Sequence, residues 1–144
     1  MTITYRAEVP EKQAYYDLYC STGWNDVFLA TPAELEHANQ ASWFTLAAYD
    51  GERLVGFGRV VTDHPLQATI YDMIVLPEYQ GRGIGSEILR RLVRVCADHG
   101  IRDVHLFCAE GMRAFYERRG FEARPDGEPG MQLKNPLDLA GLWG

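Results

Sequence analysis

The sequence predicts one α/β domain, residues 1–144, built on a mixed, mostly antiparallel sheet with helices against it. Three observations lead there. Apolar residues alternate on either side of Asp50-Gly51, a strong hairpin signal. The stretch Ser86–His99 repeats its apolar residues at helical spacing. Between them, a short apolar run feeds a glycine-rich loop that opens this helix, an arrangement typical of α/β layering.

The elements follow in order. Thr2–Val9 alternates loosely and reads as a first strand. Glu11–Cys20 reads as a helix, with Ala14, Tyr15, Leu18 and Tyr19 on one face. Ser21–Ala30 is irregular and carries Trp24 and Phe28. Thr31-Pro32-Ala33-Glu34 is a helix start: a capping threonine, proline at the first helical position and glutamate three residues after the cap. That helix ends near Gln40. Trp43–Tyr49, Arg53–Thr62 and Gln67–Leu76 form a three-stranded meander, closed by Pro77. On the helix Ser86–His99, Ile88, Leu89, Leu92, Val93 and Cys96 form the buried stripe, and Gly100 stops it. Val104–Cys108 is a short apolar strand suited to burial between neighbours. Met112–Arg119 reads as a helix ended by Gly120; Phe121–Arg124 and Met131–Lys134 read as two last strands. The predicted order is β-α-α-β-β-β-α-β-α-β-β.

Composition narrows the function. The net charge of -6 is opposite in sign to that of a nucleic-acid binder, so no nucleic-acid partner is expected. It suits solubility, and also a cationic or amine-bearing partner. Three cysteines (Cys20, Cys96, Cys108) with no C-x-x-C spacing argue against a disulfide framework or a zinc site, and for a reducing cytoplasm. His37, His64, His99 and His105 show no metal-ligand spacing, so no metal is expected. No apolar run approaches the ~20 residues of a bilayer span, and no secretory leader is evident, so no membrane partner is expected.

The strongest signal is Tyr79-Gln80-Gly81-Arg82-Gly83-Ile84-Gly85. Glycines at 81, 83 and 85 let the backbone turn sharply and approach a ligand. The helix that follows offers unpaired N–H groups and the positive end of its dipole, a natural seat for a pyrophosphate. A P-loop would need a lysine that is missing here, and a Rossmann loop has G-x-G-x-x-G instead of G-x-G-x-G.

Gln80-x-x-Gly83-x-Gly85 resembles the Q/R-x-x-G-x-G/A signature of the GNAT superfamily of N-acetyltransferases. Tyr71–Tyr79 is similar to that family's fourth strand and its exit, and Phe115-Tyr116-Glu117-Arg118-Arg119-Gly120-Phe121 to its FYEKxGF segment. The likeness covers roughly Ser42–Lys134 and is nearest in character to small plant serotonin N-acetyltransferase-like members. It implies a splayed central strand pair, with acetyl-CoA as co-substrate. The pantetheine arm would lie along Ile74 and Val75. The amides of Gln80, Gly81, Arg82, Gly83, Ile84, Gly85 and Ser86 would hold the pyrophosphate, with Arg113 flanking. One departure is Ala109, where the family often has asparagine.

Acyl transfer from a thioester to an amine needs a neutral amine, a proton acceptor, donors for the carbonyl oxygen and help for the leaving thiolate. The resemblance assigns the last task to Tyr116. Asp72 is the candidate base or relay: it lies mid-strand in an apolar run, where a carboxylate needs a reason and burial would raise its pKa. A solvated outward position is the alternative. Glu110 and Asp26 are weaker candidates, and Cys108 reads better as a small hydrophobe than as a nucleophile. The resemblance puts the acceptor near residues 21–30, where Trp24 and Phe28 line an aromatic-amine site or seal the sheet.

The expected activity is direct transfer of an acetyl group to a small primary amine in a ternary complex. Rival readings are a protein lysine or N-terminal acetyltransferase, a non-catalytic acyl-CoA-binding module, and a small nucleotide-binding domain. Homodimers are common in the family, and the tail Pro136–Gly144 could cover a partner or the chain's own sheet.

Overall fold

The computed structural model describes residues 2–134, 136 and 137. The expectations for the tail beyond these lie outside the described residues. The chain forms two compact units, Met1–Phe107 and Cys108–Gly144.

The first unit holds a five-stranded sheet in the order β1-β2-β3-β4-β5, with β1 Ile3–Arg6, β2 Phe44–Asp50, β3 Arg53–Thr62, β4 Gln67–Val75 and β5 Asp103–Leu106. Pairing is antiparallel from β1 to β4 and parallel between β4 and β5. The helices are α1 Lys12–Cys20, α2 Asn25–Phe28, α3 Pro32–Gln40 and α4 Ile84–Asp98.

Local chemistry explains these boundaries. Glu11 is the cap of α1, not its first residue: its carboxylate accepts from the amides of Gln13 and Ala14. Thr31 and Glu34 form the expected capping box of α3, each bonding the other's backbone amide. Residues 21–30 are not wholly irregular. The Asn25 amide bonds both Ala30 N and Ala30 O, which closes the single-turn helix α2.

The sheet buries both faces. On one lie Tyr15, Leu18 and Tyr19 of α1 and Leu35 of α3, packed with Ala47, Tyr49, Leu54, Phe57 and Ile74. On the other, α4 sits so close that a Cβ at Gly58 would stand 2.8 Å from Leu92 Cδ1 and 2.9 Å from Ile88 Cγ2. Glycine at this strand position is a packing requirement. The stripe of α4 is buried as predicted at Ile88, Leu89, Leu92 and Cys96, with Ile84 added and Val93 only half-buried.

The second unit contains α5, Arg113–Glu117. The strands expected at residues 121–124 and 131–134 do not form. Instead Glu128 N donates to Pro125 O at 2.8 Å and Arg124 Nε to Glu128 O at 3.1 Å, so the chain is spent on a turn. Both segments are short, charged and flanked by Pro and Gly, which disfavours a ladder. As a result β5 is the last strand of the described sheet, not a strand between neighbours, and Phe107 and Cys108 are exposed.

Candidate active site

The strands β4 and β5 part company midway. Their pairing runs from Gln67↔Asp103 to Ile70↔Leu106, where β5 ends, while β4 continues to Val75. Residues 71–75 therefore keep β3 on one side, and no described strand pairs with their other edge. Tyr71 and Phe107 stack across the opening with ring centres 6.5 Å apart. A half-open strand edge of this kind can hydrogen-bond an extended ligand as an added strand. Ile74 is buried, and Val75 is half-buried at the end of that edge.

The chain then passes directly into the glycine loop. Leu76 N donates to Val55 O at 2.9 Å, fixing the exit of β4. A 3-10 turn, Pro77–Tyr79, follows. It is anchored by Arg53 Nη2 to Glu78 Oε1 at 2.6 Å and by the Tyr79 hydroxyl donating to Asp50 Oδ2 at 2.5 Å. Gln80 Nε2 reaches back to Val75 O at 3.0 Å, tying loop to strand. Arg82 lies over the Tyr79 ring, 5.1 Å from its centre.

Gly81 and Gly83 take φ of 77° and 82°, left-handed backbone that suits glycine best. Gly83 caps α4 without a side chain, and the helix starts at Ile84, two residues before the predicted Ser86. Gly85 and Ser86 thus lie in its first turn, so Gly85 is a helical residue and not part of the turn. The first-turn amides have no carbonyl inside the helix to bond, and the helix dipole is positive there. Of the predicted cofactor residues, Ile74, Val75 and Gln80 to Ser86 form one continuous track along β4 and onto α4.

Asp72 is neither a lone carboxylate nor a solvated one. It occupies a bulge where Phe57 pairs with Ile74 but Arg59 pairs with Tyr71, and its φ is 57°. Its Oδ2 accepts from Arg59 Nε at 2.7 Å and lies 3.4 Å from the Tyr15 hydroxyl. Both side chains of the ion pair are mostly buried, at 17% and 19% exposure. Burial, followed by the Asp72 charge, pushes the Tyr15 phenol well above its ordinary range. Arg59 and Tyr15 were missed in the sequence. Their signal was faint: an arginine and a carboxylate in two adjacent apolar strands.

In the second unit, Tyr116 is 8% exposed and meets Phe115 and Phe121 edge-on. Burial, with a smaller effect from the Cys108 charge, raises its phenol to about 12, so it is protonated at neutral pH. Arg113 pairs with Glu117 at 3.2 Å on the exposed side of α5. Cys108 and Glu110 are exposed.

Trp24 and Phe28 separate. Trp24 packs edge-on against Tyr19 at 5.8 Å and joins the α1 core, whereas Phe28 is 71% exposed beside Val27 and Leu29. Asp26 is exposed on the same turn. Among the described residues no helix is long and apolar enough to cross a membrane, and no group of three or more His, Cys, Asp or Glu could hold a metal.

Comparison with known proteins agrees with this geometry. Residues 7–121 match the family model described as the acetyltransferase (GNAT) family. The chain is similar to GCN5-related N-acetyltransferase 2, chloroplastic, of Arabidopsis thaliana, with 41% identity over 57% of this chain and 34% of that protein. It is similar to histone acetyltransferase TAP1 of Glycine max, with 40% identity over 56% of this chain and 35% of that protein. The matched part thus spans about a third of the length of these curated relatives. A solved GNAT family acetyltransferase of Streptococcus pneumoniae superposes with a TM-score of 0.72 at 31% identity, over 85% of this chain and 89% of that one.

Proposed function

The chain belongs to the acetyltransferase (GNAT) family, and on that basis we propose that it transfers an acetyl group from acetyl-CoA to a primary amine by direct attack. The observation that carries this reading is the continuous track from the open β4 edge to the N-terminus of α4. It matches a ligand with an amide-bearing arm and a pyrophosphate in that order. NAD and ATP have the pyrophosphate but lack the arm.

The chemistry follows from the residues. An alkyl amine with pKa near ~10 is neutral in about one molecule per thousand at pH 7, so attack requires a proton acceptor. Asp72, or water led to it, takes that proton in our reading. The amine nitrogen then bonds the acetyl carbon, the carbonyl oxygen becomes anionic, and the Val75 amide on the open edge of β4 stabilises it. The nitrogen then gives up its second proton to water, and collapse breaks the carbon–sulfur bond to leave the neutral amide. Tyr116, held protonated at about 12, gives the departing thiolate a hydrogen bond. Full proton transfer from so weak an acid to a thiolate of pKa ~8.5 is uphill, so Tyr116 stabilises the sulfur and water completes the protonation. The family resemblance assigns Arg113 to the acyl-donor side and residues 21–30 to the acceptor; of these, exposed Phe28 is free to meet an amine, while Trp24 is committed to the packing around Tyr19.

The acceptor is a small-molecule amine in our first reading. A second reading, a protein amine, is favoured by the name of the soybean relative and by the exposed, open turn of α2 around Phe28. The unpaired cysteines suit a reducing compartment: the cytoplasm, or a plastid like the one named for the Arabidopsis relative. Release of CoA thiol from acetyl-CoA, screened against pools of small amines and of lysine and N-terminal peptides, tests the activity. Amine-dependent release supports transfer. Tight CoA binding with no release for any amine would make the chain a binding module.

A further inference from the structure

The bulge at Asp72 does more than carry a carboxylate. Across it, Ile70 pairs with Val60 and Ile74 with Phe57. Val60 and Phe57 stand three residues apart on β3 and so point to opposite faces. Ile70 and Ile74 are both buried, at 2% and 3% exposure, and Ile74 lies in the α1 core. A regular strand would put residues 70 and 74 on one face, so the extra residue is what lets β4 serve both cores. The bulge also falls two residues after the last β4–β5 pair, at the start of the open edge.

The bulge is costly in itself. Asp72 has a left-handed φ of 57°, which aspartate tolerates better than most side-chain-bearing residues but which still favours glycine, so contacts that hold it there matter. Here the hold is explicit. Arg59 Nε clasps Asp72 Oδ2 at 2.7 Å, and Arg59 Nη1 donates to Ser42 Oγ at 3.1 Å. Ser42 Oγ in turn donates to Ala38 O of α3 at 2.9 Å. The Arg59 guanidinium lies 5.0 Å from the centre of the Tyr71 ring. Arg59 is thereby fixed at both ends before it meets the carboxylate.

We propose that Arg59 is a positioning residue for the acyl-donor site: its ion pair with Asp72 latches the bulge and keeps residues 71–75 aligned to receive an extended thioester arm. This rests on the acetyl-CoA reading above. Arg59 need touch no substrate to act. Without it, Asp72 keeps only the long 3.4 Å contact of the Tyr15 hydroxyl, and the open edge is free to drift while packing of Ile70 and Ile74 keeps the fold.

The test is calorimetric titration of CoA into wild type, Arg59→Met, Arg59→Lys, Asp72→Gly and the double variant Arg59→Met/Asp72→Gly, each checked for cooperative unfolding. Glycine adopts a φ of 57° without strain, so it needs no latch. Arg59→Met should bind CoA about tenfold more weakly, the factor one strained residue represents. Arg59→Lys should recover part of that, Asp72→Gly should bind within about threefold of wild type, and the double variant should match Asp72→Gly. A merely structural arginine would leave the double variant as weak as Arg59→Met. That outcome, or an Arg59→Met that binds like wild type, overturns the latch. A wild type that does not bind CoA overturns the acetyl-CoA reading, and the latch with it.

Discussion

Gly58 offers a sharp test of how the sheet and α4 are joined. Replacement by alanine adds one methyl, which would stand 2.8 Å from Leu92 Cδ1, 2.9 Å from Ile88 Cγ2 and 3.0 Å from Met73 Sδ. The leucine and methionine ends can swing aside. Ile88 Cγ2 cannot, because it sits on the β-carbon of a β-branched helical residue with one strongly preferred rotamer. The helix must therefore shift away from the sheet. Overpacking of this kind costs about 2 kcal/mol. For a chain of this size that lowers Tm by about 6 °C. Gly127→Ala is the control, since its added methyl meets nothing within 4 Å. Its Tm should stay within about 2 °C of wild type, as for ordinary surface substitutions. Differential scanning calorimetry of both variants decides the matter. If Gly58→Ala melts with Gly127→Ala, the close approach of α4 to β3 is wrong.

Three further predictions follow from the same geometry. Asp72→Asn keeps a residue type that tolerates left-handed backbone and an oxygen for Arg59 Nε but loses the ion pair, so CoA binding should weaken by no more than in Arg59→Met, while amine-dependent thiol release at saturating acetyl-CoA falls about 100-fold or more. Unchanged release would remove Asp72 from the proton path. Gly83→Ala meets no neighbour but must hold φ of 82°; it should weaken CoA binding by about tenfold, read by titration, and equal binding would mean the loop does not contact the ligand. Tyr49 and Tyr116 are raised to about 12, both chiefly by burial, and Tyr15 is raised further in the same direction. Groups raised in the folded state stabilise it below their unfolded pKa of ~10 and stop doing so as pH climbs through the folded value. Unfolding free energy should thus fall between about pH 10 and 12, followed by phenolate absorbance during denaturant titration; a flat profile there would refute the burial of these phenols.

Much of the fold was legible because its signals are local. The capping box at Thr31 and Glu34, the Asp50-Gly51 hairpin and the stripe of α4 each depend on residues within a turn or two. The glycine loop was legible for the same reason, apart from its boundary. What failed depends on register between distant strands. That Asp72 is a bulge residue is a property of β3 and β4 together, and its partner Arg59 lies 13 residues away. Residues 121–124 and 131–134 alternate apolar with polar or charged residues as strands do, but nothing in so short a segment says whether a ladder partner waits for it. Gly56 and Gly58 did carry a readable signal. Paired glycines inside an apolar strand mark a close backbone approach, here to α4.

The central claim is that the open β4 edge and the N-terminus of α4 together hold an acyl-CoA. Thermal unfolding of the purified protein with acetyl-CoA, CoA, NAD or ATP tests it most directly. At about 100 times its dissociation constant a ligand stabilises the folded state by roughly 2.7 kcal/mol. For this chain that is a rise of about 8 °C. The account predicts that rise with acetyl-CoA and with CoA, and little change with NAD or ATP. No shift with either CoA species at millimolar concentration, or an equal shift with NAD, would contradict it.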